Sequence, residues 1–113
     1  MKPVLYGYMI RPAGFHKADT PLARALLEDY CLREDFELAH IFAEVPGESN
    51  ALAEVLRIVV QTEAAGVLIP GLSTLAADET EQRYAHAYIQ RKTARPVYIA
   101  VAAQVRIVTT ELI

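Results

Sequence analysis

Residues able to do chemistry fall in three short stretches of this chain. Arg11, His16, Lys17 and Asp19 form the first; Glu44, Glu48, Ser49 and Asn50 the second; Ser73 and Thr74 the third. An arginine with a histidine and a lysine nearby suits an anion, because cationic donors bond phosphate or carboxylate oxygens with charge assistance. The same residues in a solvated loop need no ligand. The second stretch supplies carboxylates, but Ser49 and Asn50 are also residue types that cap a helix. The third supplies hydroxyls alone. No side chain between Val67 and Ala77 titrates near neutral pH, so a nucleophile there lacks a local base and the cations that stabilise its charge.

The remaining candidates have ordinary structural readings. His40 sits among apolar neighbours and reads as a core or edge histidine. His86 is expected to face away from Tyr84 and Tyr88 toward solvent, and Cys31 to be a small buried hydrophobe. Arg83, Arg91, Lys92 and Arg95 make a basic group whose placement after Asp78, Glu79 and Glu81 suits a helix macrodipole. Gly7 and Gly14 do not build a phosphate cradle, and one cysteine gives no metal-type spacing. The reading therefore assigns no catalytic, cofactor-binding or metal-binding residue, and no cofactor.

Composition narrows the class further. With 113 residues, 53% hydrophobic and 22% charged, the chain reads as one globular domain spanning 1–113. Its net charge of −3 lowers the odds of autonomous DNA binding, since counterion release favours a basic surface. The apolar run VLYGYMI is too short for a membrane span. The expectation is a cytoplasmic protein with no membrane partner.

Hydrophobic patterning alternates between strands and helices. PVLYGYMI (3–10) reads as the first strand. Thr20-Pro21 reads as a cap and first position of a helix running to about Arg33. FELAHIFAE (36–44) is a second strand. Leu52, Val55, Leu56, Val59 and Val60 mark a second helix, with Gly66 closing it. VLIPG is a buried third strand, and Asp78 with Glu81 forms a capping-box pair for a third helix. VYIAVA (97–102) and VRIVT (105–109) complete the set, the latter reversing direction. This order predicts a three-layer α/β sandwich with a mostly parallel sheet of about five strands. Its functional crevice belongs at the carboxyl ends of the strands, where loops 11–19, 44–50 and 71–78 meet. The phosphate-accepting receiver class, which needs carboxylates at strands one and three, is excluded.

From about Val4 to Val101 the chain resembles the catalytic domain of serine recombinases, the resolvase/invertase family. LYGYM with Arg11 resembles the family's Gly-Tyr-x-Arg-Val-Ser strand, and FELAHIFAEVPGES its second strand and acidic Ser-Gly loop. AGVLIPGLSTLAAD resembles its third strand and Leu-Asp-Arg-Leu-x-Arg motif. Leu72 and Leu75 keep the two leucines of that motif. Ser73, Thr74 and Ala77 stand where the resemblance implies Asp, Arg and a second Arg. The nucleophilic serine's place falls on Pro12, or on Ala13 if one residue is inserted, in which case Arg11 keeps the family's first arginine. Ser49 replaces an arginine at the start of helix two. The family's long dimer-forming helix and helix-turn-helix domain are not expected in these 113 residues.

The resemblance thus implies a recombinase scaffold without its chemistry, a pseudoenzyme acting through self-association or a protein partner, with DNA possible but not favoured. The competing expectation is a residual enzyme, or an anion or nucleic-acid binder, using the Arg11-His16-Lys17 loop.

Overall fold

The computed structural model describes residues 2–10, 19–44, 50–71, 75–76 and 78–100. The elements run β1 (Val4–Ile10), α1 (Asp19–Glu34), β2 (Glu37–Glu44), α2 (Ala51–Thr62), β3 (Gly66–Ile69), α3 (Glu79–Thr93) and β4 (Val97–Ile99). The described strands form one four-stranded sheet in the order β2-β1-β3-β4, with every pairing parallel. The expected α/β architecture with a parallel sheet is therefore present. The expected strand 105–109 lies outside the described residues, and the sheet the described residues form has four strands where about five were anticipated.

Alternation along β1 divides the core. Leu5 and Met9 face α1 and pack with Leu27, Cys31, Ile41 and Leu68. Tyr6, Tyr8 and Ile10 face the other way, toward Val55, Leu56 and Val59 of α2 and Ile89 of α3. Among the described elements, one helix thus covers one face of the sheet and two cover the other. Val67, Leu68 and Ile69 are fully buried, as a central parallel strand with both faces covered must be.

Two glycines let α1's side of the sheet close. Gly7 faces Leu27 of α1 and Ile41 of β2, and a Cβ there would lie 3.0 Å from a side-chain atom of each. Gly66 is the first residue of β3 and not the end of α2 as the sequence suggests; Glu63 closes α2 instead, in the left-handed conformation. A Cβ on Gly66 would meet the Pro96 carbonyl oxygen at 2.4 Å and the Tyr98 ring at 2.9 Å. The missing side chain allows that ring to lie across β3, where it meets Phe36 edge-on at 5.0 Å and Tyr30 at 6.5 Å. This aromatic group covers sheet surface that α1 alone leaves open.

Other boundaries differ by a residue or two. Helix α1 begins at Asp19, so Thr20 lies inside it and does not cap it. The edge strand β2 carries an extra residue, Ala39, between the pairs Leu5↔Leu38 and Tyr6↔His40. Such a bulge twists an exposed edge and discourages further strand pairing.

Gly66→Ala is expected to lower stability by about 2–3 kcal/mol, because its obstacle is backbone, and Gly7→Ala by about 1 kcal/mol, because side-chain tips can yield. Urea unfolding midpoints of the two variants check the order.

Candidate functional site

In this strand order the chain leaves β1 toward β2 and leaves β3 toward β4. The crevice of a parallel sheet opens where such departures diverge, here outside the carboxyl ends of β1 and β3. The groups described around it are Tyr8 within β1, Glu44 at the end of β2, Pro70 and Gly71 beyond β3, and Ile99 and Ala100 at the end of β4. Arg11, Pro12, Ala13, His16 and Lys17 lie outside the described residues. So do Glu48, Ser49, Leu72, Ser73, Thr74 and Ala77. Asp19 opens α1.

The carboxylate of Glu44 holds this edge together. Its Oε1 accepts a hydrogen bond from the Leu52 N–H at 3.0 Å, within the first turn of α2. The four leading N–H groups of a helix have no partner inside it, and a carboxylate there also meets the positive end of the helix dipole. Asn50 occupies the N-cap position but makes no side-chain capping bond. The strand preceding the helix therefore supplies the cap that the sequence assigned to Ser49 or Asn50. An acidic residue at a strand's end, a few positions before a helix, is the signal that could have revealed this.

Glu44 also faces the buried phenol of Tyr8. Burial, then the Glu44 charge, then hydrogen bonding with that carboxylate push the Tyr8 pKa well above its ordinary 10.0. All three favour the neutral phenol, which can serve Glu44 as a donor but cannot act as a base near neutrality. The pair reads as a structural clasp between β1, β2 and α2.

A second group lies beside the end of β4. Glu79, Gln82, Arg83, His86 and Ile99 line a cleft of about 320 Å³, within the size range of small-molecule sites. His86 is half-buried here, contrary to the expected solvent-facing position, because residues 82, 85, 86, 89 and 93 form α3's inner face. Gln82 Nε2 donates to the Ala76 carbonyl at 2.9 Å, and Arg83 pairs with Glu79 at 3.2 Å. The cleft can hold a small polar molecule. Among the described lining residues there is no serine, threonine or cysteine for nucleophilic attack.

The basic group does not form one patch. Arg83 lines the cleft by β4, whereas Lys92, nine residues on and so on roughly the opposite side of the helix, sits 5.7 Å over the Tyr88 ring. Arg95 Nε donates to the Ala64 carbonyl at 3.1 Å, tying the start of β4 to the start of β3 at the other end of the sheet. His40 lies exposed on the edge strand with its ring edge-on to Phe42 at 4.8 Å, so it is an edge histidine. Cys31 is buried, and desolvation raises its pKa. Among the described residues no cluster of His, Cys, Asp and Glu could hold a metal ion, and no helix is long and apolar enough to cross a membrane.

No protein-family profile matches the chain, and no curated protein does. Its fold is similar to that of a solved structure, the C-terminal catalytic domain of ISC1926 TnpA, an IS607-like serine recombinase. The TM-score is 0.68 at 12% identity, over 86% of this chain and 67% of that one. At that identity the likeness is one of fold: the chain has the architecture of a serine recombinase catalytic domain.

The Glu44 clasp carries two expectations. Glu44→Ala should cost about 1–2 kcal/mol, the usual value of a lost helix cap, read from the urea midpoint. A phenol whose folded pKa is raised contributes stability that is complete below its ordinary value and is lost as pH climbs through the folded one. Tyr8→Phe should therefore flatten the decline of stability above pH 10, leaving the smaller slope due to Tyr30, which burial also raises.

Proposed function

We propose that this chain is a recombinase-like domain without strand-exchange chemistry, which acts by contacting protein, either another copy or a different partner. One observation carries the first half. The positions that the resemblance assigns to the nucleophile and to the charged motif read Pro12 or Ala13, Ser73, Thr74 and Ala77. Neither proline nor alanine can attack phosphorus. A phosphoryl transfer also gathers negative charge in its transition state, and each missing electrostatic partner typically costs about 3 kcal/mol. The engagement of Glu44 as a helix cap and of Arg83 with Glu79 supports the same reading, since neither group is left waiting for a substrate.

The second half rests on surface chemistry. Tyr84 is 75% exposed, Val60 52% and Tyr88 40%, all on the outer side of α2 and α3. Aromatic residues so placed are characteristic of protein contact surfaces.

End-labelled duplex and supercoiled plasmid incubated with the chain should yield no nick and no covalent protein–DNA adduct on a denaturing gel. A trapped adduct that disappears in Ser73→Ala would overturn the catalytic half. Light scattering that reports a 12.5 kDa monomer at every concentration, together with no retained polypeptide ligand, would overturn the contact half.

A further inference from the structure

Helices α2 and α3 lie side by side on one face of the sheet. Two open hollows, of about 500 and 480 Å³, flank the Tyr88 side chain. The first is lined on the α2 side by Leu56 and Val60, the second by Leu75, Tyr84 and Ala85. Because Tyr88 borders both, they form one trough crossing from α2 over α3. The apolar stripe of α2 is wider than the core needs: Val55 and Val59 are fully buried, while Val60 at its margin faces out.

The rim of the trough is cationic. Arg57 and Lys92 border the first hollow and Arg91 the second, and among the described lining residues one carboxylate, Glu81, stands against them. This surplus stands out in a chain whose net charge is −3. A second copy meeting the same surface about a two-fold axis would set cations against cations, which electrostatic complementarity disfavours. A single-stranded nucleic acid would need open aromatic faces for base stacking. The Tyr88 ring already carries the Lys92 ammonium and the α2 side of the first hollow is aliphatic, so Tyr84 is left as the one open ring among the described lining residues, too few to stack successive bases. Arg57 is further held along its own helix by Gln61 at 3.1 Å, which suits a fixed rim more than a phosphate track.

We propose that this trough docks an amphipathic helix of a partner protein, with apolar residues at i, i+3 or i+4 and i+7 filling the two hollows and Asp or Glu on its flanks meeting Arg57, Arg91 and Lys92. A helix laid in a groove offers side chains at that spacing, and two hollows on either side of Tyr88 accept successive anchors. The acidic flanks also steer the encounter and set the orientation of the docked helix. This inference rests on the reading of the chain as a protein-contact module and gives that module its surface and its partner chemistry.

The test is a selection of displayed helical peptides of randomised sequence against the intact folded chain, followed by binding measurements on the enriched sequences. Enrichment of acidic peptides with 3–4 spaced apolar residues is expected, with amide shifts centred on Leu56, Val60, Tyr84 and Tyr88. Tyr88→Ala and Val60→Asp, both at exposed positions, should each weaken binding by at least about tenfold. A double reversal, Arg91→Glu with Lys92→Glu, should weaken acidic peptides and strengthen versions carrying Lys in place of Glu. Circular dichroism of each variant separates lost binding from lost folding.

Enrichment of basic or unpatterned peptides, shifts that map away from α2 and α3, or displacement by a single-stranded oligonucleotide would each overturn this inference. Peptide binding elsewhere on the chain, or self-association that survives Tyr88→Ala, would do so while leaving the broader contact reading in place. No enriched peptide from a strictly monomeric chain would remove both.

Discussion

A parallel sheet cannot leave either face to water, and the rest of this structure follows from how that requirement is met. The central strands β1 and β3 are buried on both sides, with Leu5, Val67, Leu68 and Ile69 fully enclosed. Two helices suffice for one face. The other receives only α1 among the described elements, and it closes by two devices. Gly7 leaves room for Leu27 to come down onto β1, and Gly66 lets the Tyr98 ring fold inward to Phe36 and Tyr30. The absence of two side chains thus matters as much as the presence of the apolar ones.

The same requirement shapes the carboxyl edge. Helix α2 must return across the sheet from β2 to β3, so its exposed N–H groups begin close to the end of β2. Glu44 stands there and satisfies one of them, while Tyr8 from the neighbouring strand holds the carboxylate from the other side. In parallel α/β sheets the strand ends border the crevice where ligands bind. Among the described residues there, Glu44 joins a helix to the sheet, and Arg83 pairs with Glu79 along α3. Fold and chemistry are separable in this way because the fold depends on apolar periodicity, whereas the chemistry depends on a few side chains at loop positions.

The outer surface of α2 and α3 shows the converse. Its most exposed apolar residues lie outside the core. Val60 extends a stripe beyond what the sheet can cover, and Tyr84 and Tyr88 face away from Ile89 and Thr93 on the same helix. Surplus apolar surface lowers solubility unless something covers it, and a cationic rim limits what that can be.

The order of elements, the parallel sheet and the architecture resembling a serine recombinase catalytic domain were legible in the amino-acid pattern alone. Apolar periodicity within one segment is a local property, so α2's stripe from Leu52 to Val60 and the Asp78 cap of α3 are legible without knowing the neighbours; Asp78 does accept from the Thr80 N–H at 3.0 Å. The boundaries set by long-range contact were not legible. Gly66 reads as a helix stop but belongs to a strand, because Pro96 and Tyr98, thirty residues downstream, occupy the space of its side chain. Glu44 reads as a loop carboxylate, and only the return of α2 beside β2 makes it a cap. His86 reads as a surface residue, yet the packing of α3 against β4 turns it inward. The joining of two hollows across Tyr88 is likewise invisible in one dimension, since it depends on which helix lies beside which. Each of those features depends on atoms that sequence separation places far apart and folding brings within a few ångströms.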